Sequence, residues 1–211
     1  MVDKPLFPSK MIDSLTKLSS GVVGVFGGTF DPPHLGHLVA AEWVREKFDL
    51  DYVLFVVAND PWQKSDSIQV SSFEDRLRMV SLATAGNNKF VVSDIEAQLG
   101  GESTTYKTLT ALNQEFNNVS FRPIIGADVA NNLDTWRNTE ELKEVADFIV
   151  CTRSGFESNI SAGWKHDLVE IPGIDISSSS IRDRIGLGLS VRYEIASEID
   201  EYIAINSLYQ E

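Results

Sequence analysis

Residues 21–38 read GVVGVFGGTFDPPHLGHL, and this stretch decides the predicted fold. The apolar run 22–26 predicts a short strand that is buried on both faces, as in a parallel sheet. Gly27 and Gly28 then allow a tight turn and a close approach to a ligand, because neither carries a Cβ. From about residue 36 apolar residues recur at helical spacing. A glycine turn that leads into a helix N-terminus favours phosphate through free N–H groups and the helix dipole.

Strands and helices alternate along the rest of the chain. The predicted strands are 22–26, 52–57, 90–93, 121–125, 147–152 and 168–171. The predicted helices are 36–48, 71–85 (Ser71 as N-cap and Glu74 reaching back), 105–116, 129–133, 139–145, 177–186 and 197–206. This alternation predicts an α/β protein with right-handed crossovers, a Rossmann-like, doubly wound parallel sheet. Ligands in such folds bind beyond the carboxyl ends of the strands, where the strand order switches.

The domain organisation follows from the same pattern. Residues 1–20 are polar and interrupted by Pro5 and Pro8, so we expect a partly disordered N-terminal extension with a helical turn or two within 11–18. Residues 21–211 are expected to form a single domain that includes a C-terminal helical part.

Composition excludes several classes of protein. The 211 residues carry a formal net charge of −13, which argues against nucleic acid and anionic membrane as partners. The same charge does not exclude a small anionic ligand. Cys151 is the only cysteine, which excludes an intrachain disulfide, and we expect it to be an inert core residue. No apolar run approaches the ~20 residues of a membrane span, and no signal peptide is evident. We expect the protein to be cytoplasmic, and the sequence leaves open whether it forms a homo-oligomer.

Two segments carry a family resemblance. Gly27–Pro32 and His34-Leu35-Gly36-His37 resemble the Gly-Gly-Thr-Phe-Asp-Pro and His-x-Gly-His signatures of the nucleotidylyltransferase superfamily. Ile176–Arg182 resembles its second signature, Ile-Ser-Ser-Thr-x-Ile-Arg; the alternative is a serine-rich N-cap followed by a surface arginine. The resemblance implies catalytic roles for His34, His37 and Arg182. The residues it implies for ATP are Gly27, Gly28, Thr29, Phe30, His34, His37, Gly126, Asp128, Ser178, Ser179, Ile181 and Arg182.

The middle of the chain resembles one branch of that superfamily, the bacterial nicotinate-mononucleotide adenylyltransferases. Gly126-Ala127-Asp128 with Leu133-Asp134-Thr135-Trp136 resembles their Gly-Ala-Asp…Leu-x-x-Trp segment. Trp136 is then a candidate to stack on the electron-poor nicotinate ring, with core packing as the alternative. The segment 60–64 resembles the Pro-Trp-Gln-Lys form of actinobacterial members, so Lys64 is either a phosphate partner or a solvated lysine.

Residues 100–109 resemble the family's Gly-Gly-Pro-(Ser/Thr)-Tyr-Thr-x-Asp-Thr-Leu segment with two departures. Thr104 stands in place of tyrosine and Lys107 in place of aspartate, whereas Thr105 keeps the hydroxyl that faces nicotinate; an ordinary helix cap is the alternative. Arg153 matches a Thr-Arg-x-Gly turn that either holds phosphate or caps a strand end. The residues implied for the nicotinate nucleotide are Asp31, Lys64, Thr104, Thr105, Trp136 and Arg153.

The resemblance implies an adenylyltransferase that joins ATP and nicotinate mononucleotide in NAD biosynthesis. Mg²⁺ is expected to arrive on ATP, and the two histidines are not expected to be metal ligands because no acidic or cysteine partner lies at zinc spacing. Three alternatives stay open: nicotinamide mononucleotide or phosphopantetheine as the acceptor, or a non-catalytic nucleotide-binding regulatory domain.

Overall fold

The computed structural model describes residues 9–60, 70–153 and 159–210, and its centre is one parallel sheet. In these residues the sheet has six strands in the order β3-β2-β1-β4-β5-β6, and every pairing is parallel. The strands are β1 Gly21–Gly28, β2 Tyr52–Val57, β3 Phe90–Ser93, β4 Val119–Gly126, β5 Asp147–Thr152 and β6 Lys165–Glu170. The predicted Rossmann-like, doubly wound fold is confirmed. Its strand order switches between β1 and β4, which places a ligand crevice there.

Helices connect the strands and cover the sheet. They are α1 Ser9–Leu15, α2 Leu35–Lys47, α3 Phe73–Thr84, α4 Ile95–Leu99, α5 Thr105–Glu115, α6 Ala127–Ala130, α7 Thr139–Val145, α8 Ser178–Gly186 and α9 Ser197–Ile205, with a 3₁₀ turn at Leu133–Thr135. The predicted bounds of β2, β3 and β5 agree with the structure. Helix α4 is a finding that the sequence pattern did not predict.

The start of α3 differs from the prediction by one residue. Ser72, not Ser71, is the N-cap, and its hydroxyl oxygen accepts the Asp75 N–H. Both serines have an acidic residue three positions later, so the capping-box pattern fits either register. The Ser71 N–H instead donates to the Asp31 carboxylate, a contact from a distant part of the chain.

Apolar side chains on both faces of the sheet form the core. Helix α1 contributes Met11 and Leu15, which are almost completely buried in one of these clusters. The expected N-terminal extension therefore includes a helix that packs on the core, while residues 1–8 lie outside the described part. A separate cluster joins α3 to the C-terminal helices through Met79, Ile181 and Ile199. No described helix has both the length and the apolar character to cross a bilayer.

Candidate active site

A cleft of about 890 Å³ opens at the switch point, above the carboxyl ends of β1, β4 and β5. The structure brings most of the predicted site residues together on its walls. Those lining it are Gly27, Gly28, Thr29, Phe30, Asp31, His34, His37, Thr104, Thr105, Gly126, Asp128, Trp136, Arg153, Ser178, Ser179 and Arg182. They come from the loops after β1, β4 and β5 and from the starts of α2, α5 and α8, as expected for ligands in doubly wound folds.

The turn after β1 is built differently from the prediction. A Cβ on Gly27 would meet no atom within 4 Å, whereas one on Gly28 would lie 2.8 Å from the Phe30 ring. Both glycines still belong to β1, and Phe30 is the residue with positive φ, at 53°. Gly28 is therefore required by the Phe30 ring that packs on it, and Gly27 leaves the floor of the cleft open to a ligand.

His34 and His37 stack at the start of α2. Their ring centroids are 3.8 Å apart, and the His34 backbone N–H donates to His37 Nδ1 over 3.1 Å. His34 is the N-cap and His37 the third helical residue, so the helix geometry itself sets this spacing. Because Nδ1 of His37 accepts a hydrogen bond, Nε2 carries the proton in the neutral ring.

His34 is held in its neutral form. Burial, and secondly the positive charge of Arg153, lower the pKa of His34 from 6.5 to about 4. Its Nδ1 is buried and has no hydrogen-bond partner among the described residues. A neutral imidazole still carries one N–H group, which can donate to a phosphate oxygen.

The second signature is fastened to the first by side-chain hydrogen bonds. Ser178 Oγ donates to the Pro32 carbonyl over 2.8 Å, and Arg182 Nη1 donates to the Asp31 carbonyl over 2.7 Å. These bonds join residues about 150 positions apart in the chain. The N-terminus of α8 and the N-terminus of α2 therefore face the same part of the cleft.

Asp31 has a structural role that the sequence did not predict. Its side chain is 3% exposed, and its two carboxylate oxygens accept from the Tyr209 hydroxyl at 2.6 Å and from the Ser71 N–H at 3.2 Å. Asp31 therefore lines the cleft, but its carboxylate is engaged within the protein. That carboxylate is turned toward donors in the C-terminal segment and before α3, and a contact of Asp31 with the nicotinate nucleotide stays a prediction.

Helix α5 begins at the cleft with two adjacent threonines, and both line it. Thr104 is the N-cap, and its Oγ1 accepts the Lys107 N–H over 3.3 Å. Thr104 thus caps the helix and also lines the cleft, and Thr105 lines the cleft at the first helical turn. Trp136 lines the cleft and its ring also meets Phe148 edge-on, with 6.2 Å between ring centroids, while its stacking on a nicotinate ring stays a prediction.

Helices α4 and α6 carry one acidic residue each, Glu96 and Asp128, in first turns that line the cleft, but three other helices that begin there have none in that turn. This holds for α2, α5 and α8. By contrast, α3, α7 and α9 each have two acidic residues there. In a chain of net charge −13, the cleft thus keeps three uncompensated positive helix ends, which suits an anionic ligand.

Two further residues support the walls and were missed by the sequence reasoning. Arg76 is 2% exposed and donates to the carbonyls of Thr29, Ala58 and Ser71, which joins the loops after β1 and β2. The sequence could have indicated this role of Arg76, because it is a charged residue on the same face of α3 as the buried Met79 and Val80. Glu96 lines the cleft and accepts from Thr108 Oγ1, and burial raises its pKa.

Three predicted residues differ from the others in placement: one is buried away from the cleft, one is exposed at its edge, and one lies outside the described residues. Ile181 is fully buried among the C-terminal helices and does not line the cleft, and its backbone N–H is bonded to Ser177 O. Arg153 is exposed at the end of β5, 4.0 Å from Asp175. Lys64 lies outside the described residues. In the described ranges no cluster of three or more His, Cys, Asp or Glu side chains could hold a metal ion.

Solved structures share this architecture. The nicotinic acid mononucleotide adenylyltransferase of Plasmodium falciparum, complexed with NaAD, superimposes with a TM-score of 0.76 at 20% identity, over 90% of this chain and 97% of that one. A cytidylyltransferase-like family model matches residues 25–184. The family model that matches this chain defines its class, a nucleotidyltransferase.

Curated relatives narrow the class. A protein of Leifsonia xyli named probable nicotinate-nucleotide adenylyltransferase is 40% identical over 93% of this chain and 98% of its own length. One from Frankia casuarinae with the same name is 44% identical over 87% of this chain and 98% of its own. The chain belongs to the nicotinate-nucleotide adenylyltransferase family.

Proposed function

We propose that this protein joins ATP and nicotinate mononucleotide to give nicotinate adenine dinucleotide and pyrophosphate. The observation that carries the proposal is one cleft whose lining combines the paired histidines and the α8 N-terminus with Thr105 and Trp136. The first group suits a triphosphate, and the second offers hydroxyl and indole groups to a pyridine ring. The names of the relatives support the same substrates.

The nucleophile sets the demands on the protein. The acceptor's phosphate has a second pKa of about 6, so it is largely a dianion near pH 7 and needs no general base. One of its oxygens attacks the α-phosphorus of ATP in line, a P–O bond forms, and the bond to the β-phosphate oxygen breaks as pyrophosphate leaves. The protein must align the two phosphates and stabilise the developing charge.

His34, His37 and Arg182 meet that need as donors. The neutral histidine rings donate N–H groups to phosphate oxygens, and Arg182 presents a guanidinium fork to the leaving pyrophosphate. We propose that a Mg²⁺ ion arrives on the triphosphate and keeps most of its waters. That ion would neutralise phosphate charge.

We further propose that residues 21–211 act as one domain on small molecules in the cytoplasm, without nucleic acid or membrane. Phosphopantetheine as the acceptor is disfavoured by Trp136, whose indole face suits a flat, electron-poor ring. Nicotinate is favoured over nicotinamide by the α5 N-terminus, because a helix end stabilises a carboxylate more than an uncharged amide.

The direct test measures pyrophosphate release from Mg-ATP with nicotinate mononucleotide, nicotinamide mononucleotide or phosphopantetheine as the acceptor. We expect nicotinate mononucleotide to give the highest kcat/KM. Preference for nicotinamide mononucleotide would keep the chemistry and change the acceptor. Turnover of phosphopantetheine alone, or of no acceptor, would contradict the proposal.

A further inference from the structure

Tyr209 connects the C-terminal segment to the turn after β1. Its hydroxyl donates to Asp31 Oδ1 over 2.6 Å, across 178 positions of sequence. The half-buried ring packs beside Met79, whose sulfur lies 3.9 Å from the hydroxyl oxygen. Tyr209 itself is not among the residues that line the cleft. Its contact with the active site therefore passes through Asp31.

The backbone after α9 takes an unusual path to make this contact. Ser207 and Tyr209 have φ values of 51° and 63°, a region that residues other than glycine rarely adopt. The Leu208 N–H donates to the Ile203 carbonyl over 3.0 Å, which folds the segment back against the end of α9. Such conformations persist where the surrounding structure holds them, and here they turn the Tyr209 ring inward.

Asp31 links Tyr209 to Arg182, because it is hydrogen-bonded to both side chains. Its carbonyl accepts Arg182 Nη1 over 2.7 Å, while its carboxylate is fixed by Tyr209 and by the Ser71 N–H. At 3% exposure, a carboxylate oxygen that loses its donor gains no water in exchange. Loss of the tyrosine hydroxyl would thus move the Asp31 residue that holds the guanidinium.

We propose that Tyr209 is a positioning residue for adenylyl transfer: through Asp31 it holds the Arg182 guanidinium in the orientation that meets the triphosphate. This rests on the proposed function, because Arg182 matters only if phosphate oxygens react beside it. Small displacements of a group that stabilises charge can lower a rate by about 100-fold. The effect falls on kcat rather than on binding of the pyridine nucleotide, because Tyr209 does not line the cleft and acts through Asp31 on Arg182.

Tyr209→Phe removes only the hydroxyl, and Tyr202→Phe is its matched control. The Tyr202 hydroxyl also donates to a carboxylate, Asp75 Oδ1 at 2.8 Å, yet neither residue lines the cleft. Once wild-type turnover of nicotinate mononucleotide is established, we expect Tyr209→Phe to lower kcat about 10- to 100-fold with an acceptor KM within about threefold. Tyr202→Phe should keep kcat within about twofold at a similar unfolding midpoint in urea. A wild-type kcat in Tyr209→Phe would overturn the proposal and leave the proposed function standing.

A double-mutant cycle separates positioning from general destabilisation. In an Arg182→Lys background, adding Tyr209→Phe should lower kcat by less than about threefold, because the guanidinium that Tyr209 positions is already gone. Independent, multiplicative losses would contradict the proposal.

If Tyr209→Phe does not fold, variants of Asp31 test the proposal instead. Asp31→Asn keeps an oxygen acceptor for Tyr209 and should retain more kcat than Asp31→Ala, whereas equal losses would overturn the proposal.

Discussion

At the scale of single residues, the site depends on which imidazole nitrogens carry protons. The hydrogen bond from the His34 backbone N–H to His37 Nδ1 fixes the tautomer of His37, and the low pKa of His34 keeps the His34 ring uncharged. Two neutral donors within one stack avoid the repulsion that two imidazolium ions would suffer at a centroid distance of 3.8 Å. Phosphate then supplies the negative charge when it binds.

The His34 pKa predicts a pH-dependent stability. The folded-state pKa is lowered to about 4 from 6.5, so the unfolded chain binds the proton more readily between these values. Stability is therefore complete above about pH 6.5 and falls as the pH drops toward 4. That shift corresponds to roughly 3 kcal/mol in the free energy of unfolding.

Urea unfolding of the wild type and of His34→Gln between pH 4 and pH 7 measures this difference. The wild type should lose about 3 kcal/mol more than the variant over that range, since glutamine does not titrate. Parallel pH profiles for the two proteins would show that His34 is not buried as a neutral ring.

Trp136 carries a second prediction at this scale. Trp136→Ala should raise the KM for nicotinate mononucleotide about tenfold or more while the KM for ATP changes little, because the indole lines the cleft and suits a flat, electron-poor ring. Trp43→Ala is the control, since Trp43 is 47% exposed on α2 and does not line the cleft. Equal changes in both KM values would make Trp136 a packing residue only.

At the scale of elements, the start of α5 places two adjacent threonines on the cleft, and the side chain of the first caps the helix. Thr104→Ala removes the cap on the Lys107 N–H and should lower the free energy of unfolding by about 1 kcal/mol. Thr105→Ala should leave stability nearly unchanged and raise the KM for the acceptor. Urea unfolding and initial rates for the two variants test this difference, and the reverse pattern would contradict it.

Elements with strong local patterns could be predicted from the sequence, and others could not. The apolar strands β2, β3 and β5 have the predicted bounds because buried β-branched runs end at turn residues. Helix α4 has five residues, too few to show a period. The N-cap of α3 lies at Ser72 because Ser71 is engaged by Asp31, a contact that no local pattern contains.

At the scale of the whole molecule, segments distant in sequence meet around the cleft. The sequence motifs identified most of its lining, since parallel strands bring their loops to one edge of the sheet. The bonds that hold these segments together could not be foreseen. Arg76 binds three carbonyls and Tyr209 binds Asp31, and both depend on tertiary packing rather than on periodicity.

The central claim is that the histidine pair stabilises the transition state of adenylyl transfer in this cleft. His37→Ala tests it most directly, with His166→Ala on β6 as the control, because His166 is the one other histidine in the chain and does not line the cleft. We expect kcat for pyrophosphate release to fall on the order of 10²–10³-fold in His37→Ala, with native circular dichroism, and to stay near wild type in His166→Ala. Wild-type turnover in a folded His37→Ala protein would contradict the account.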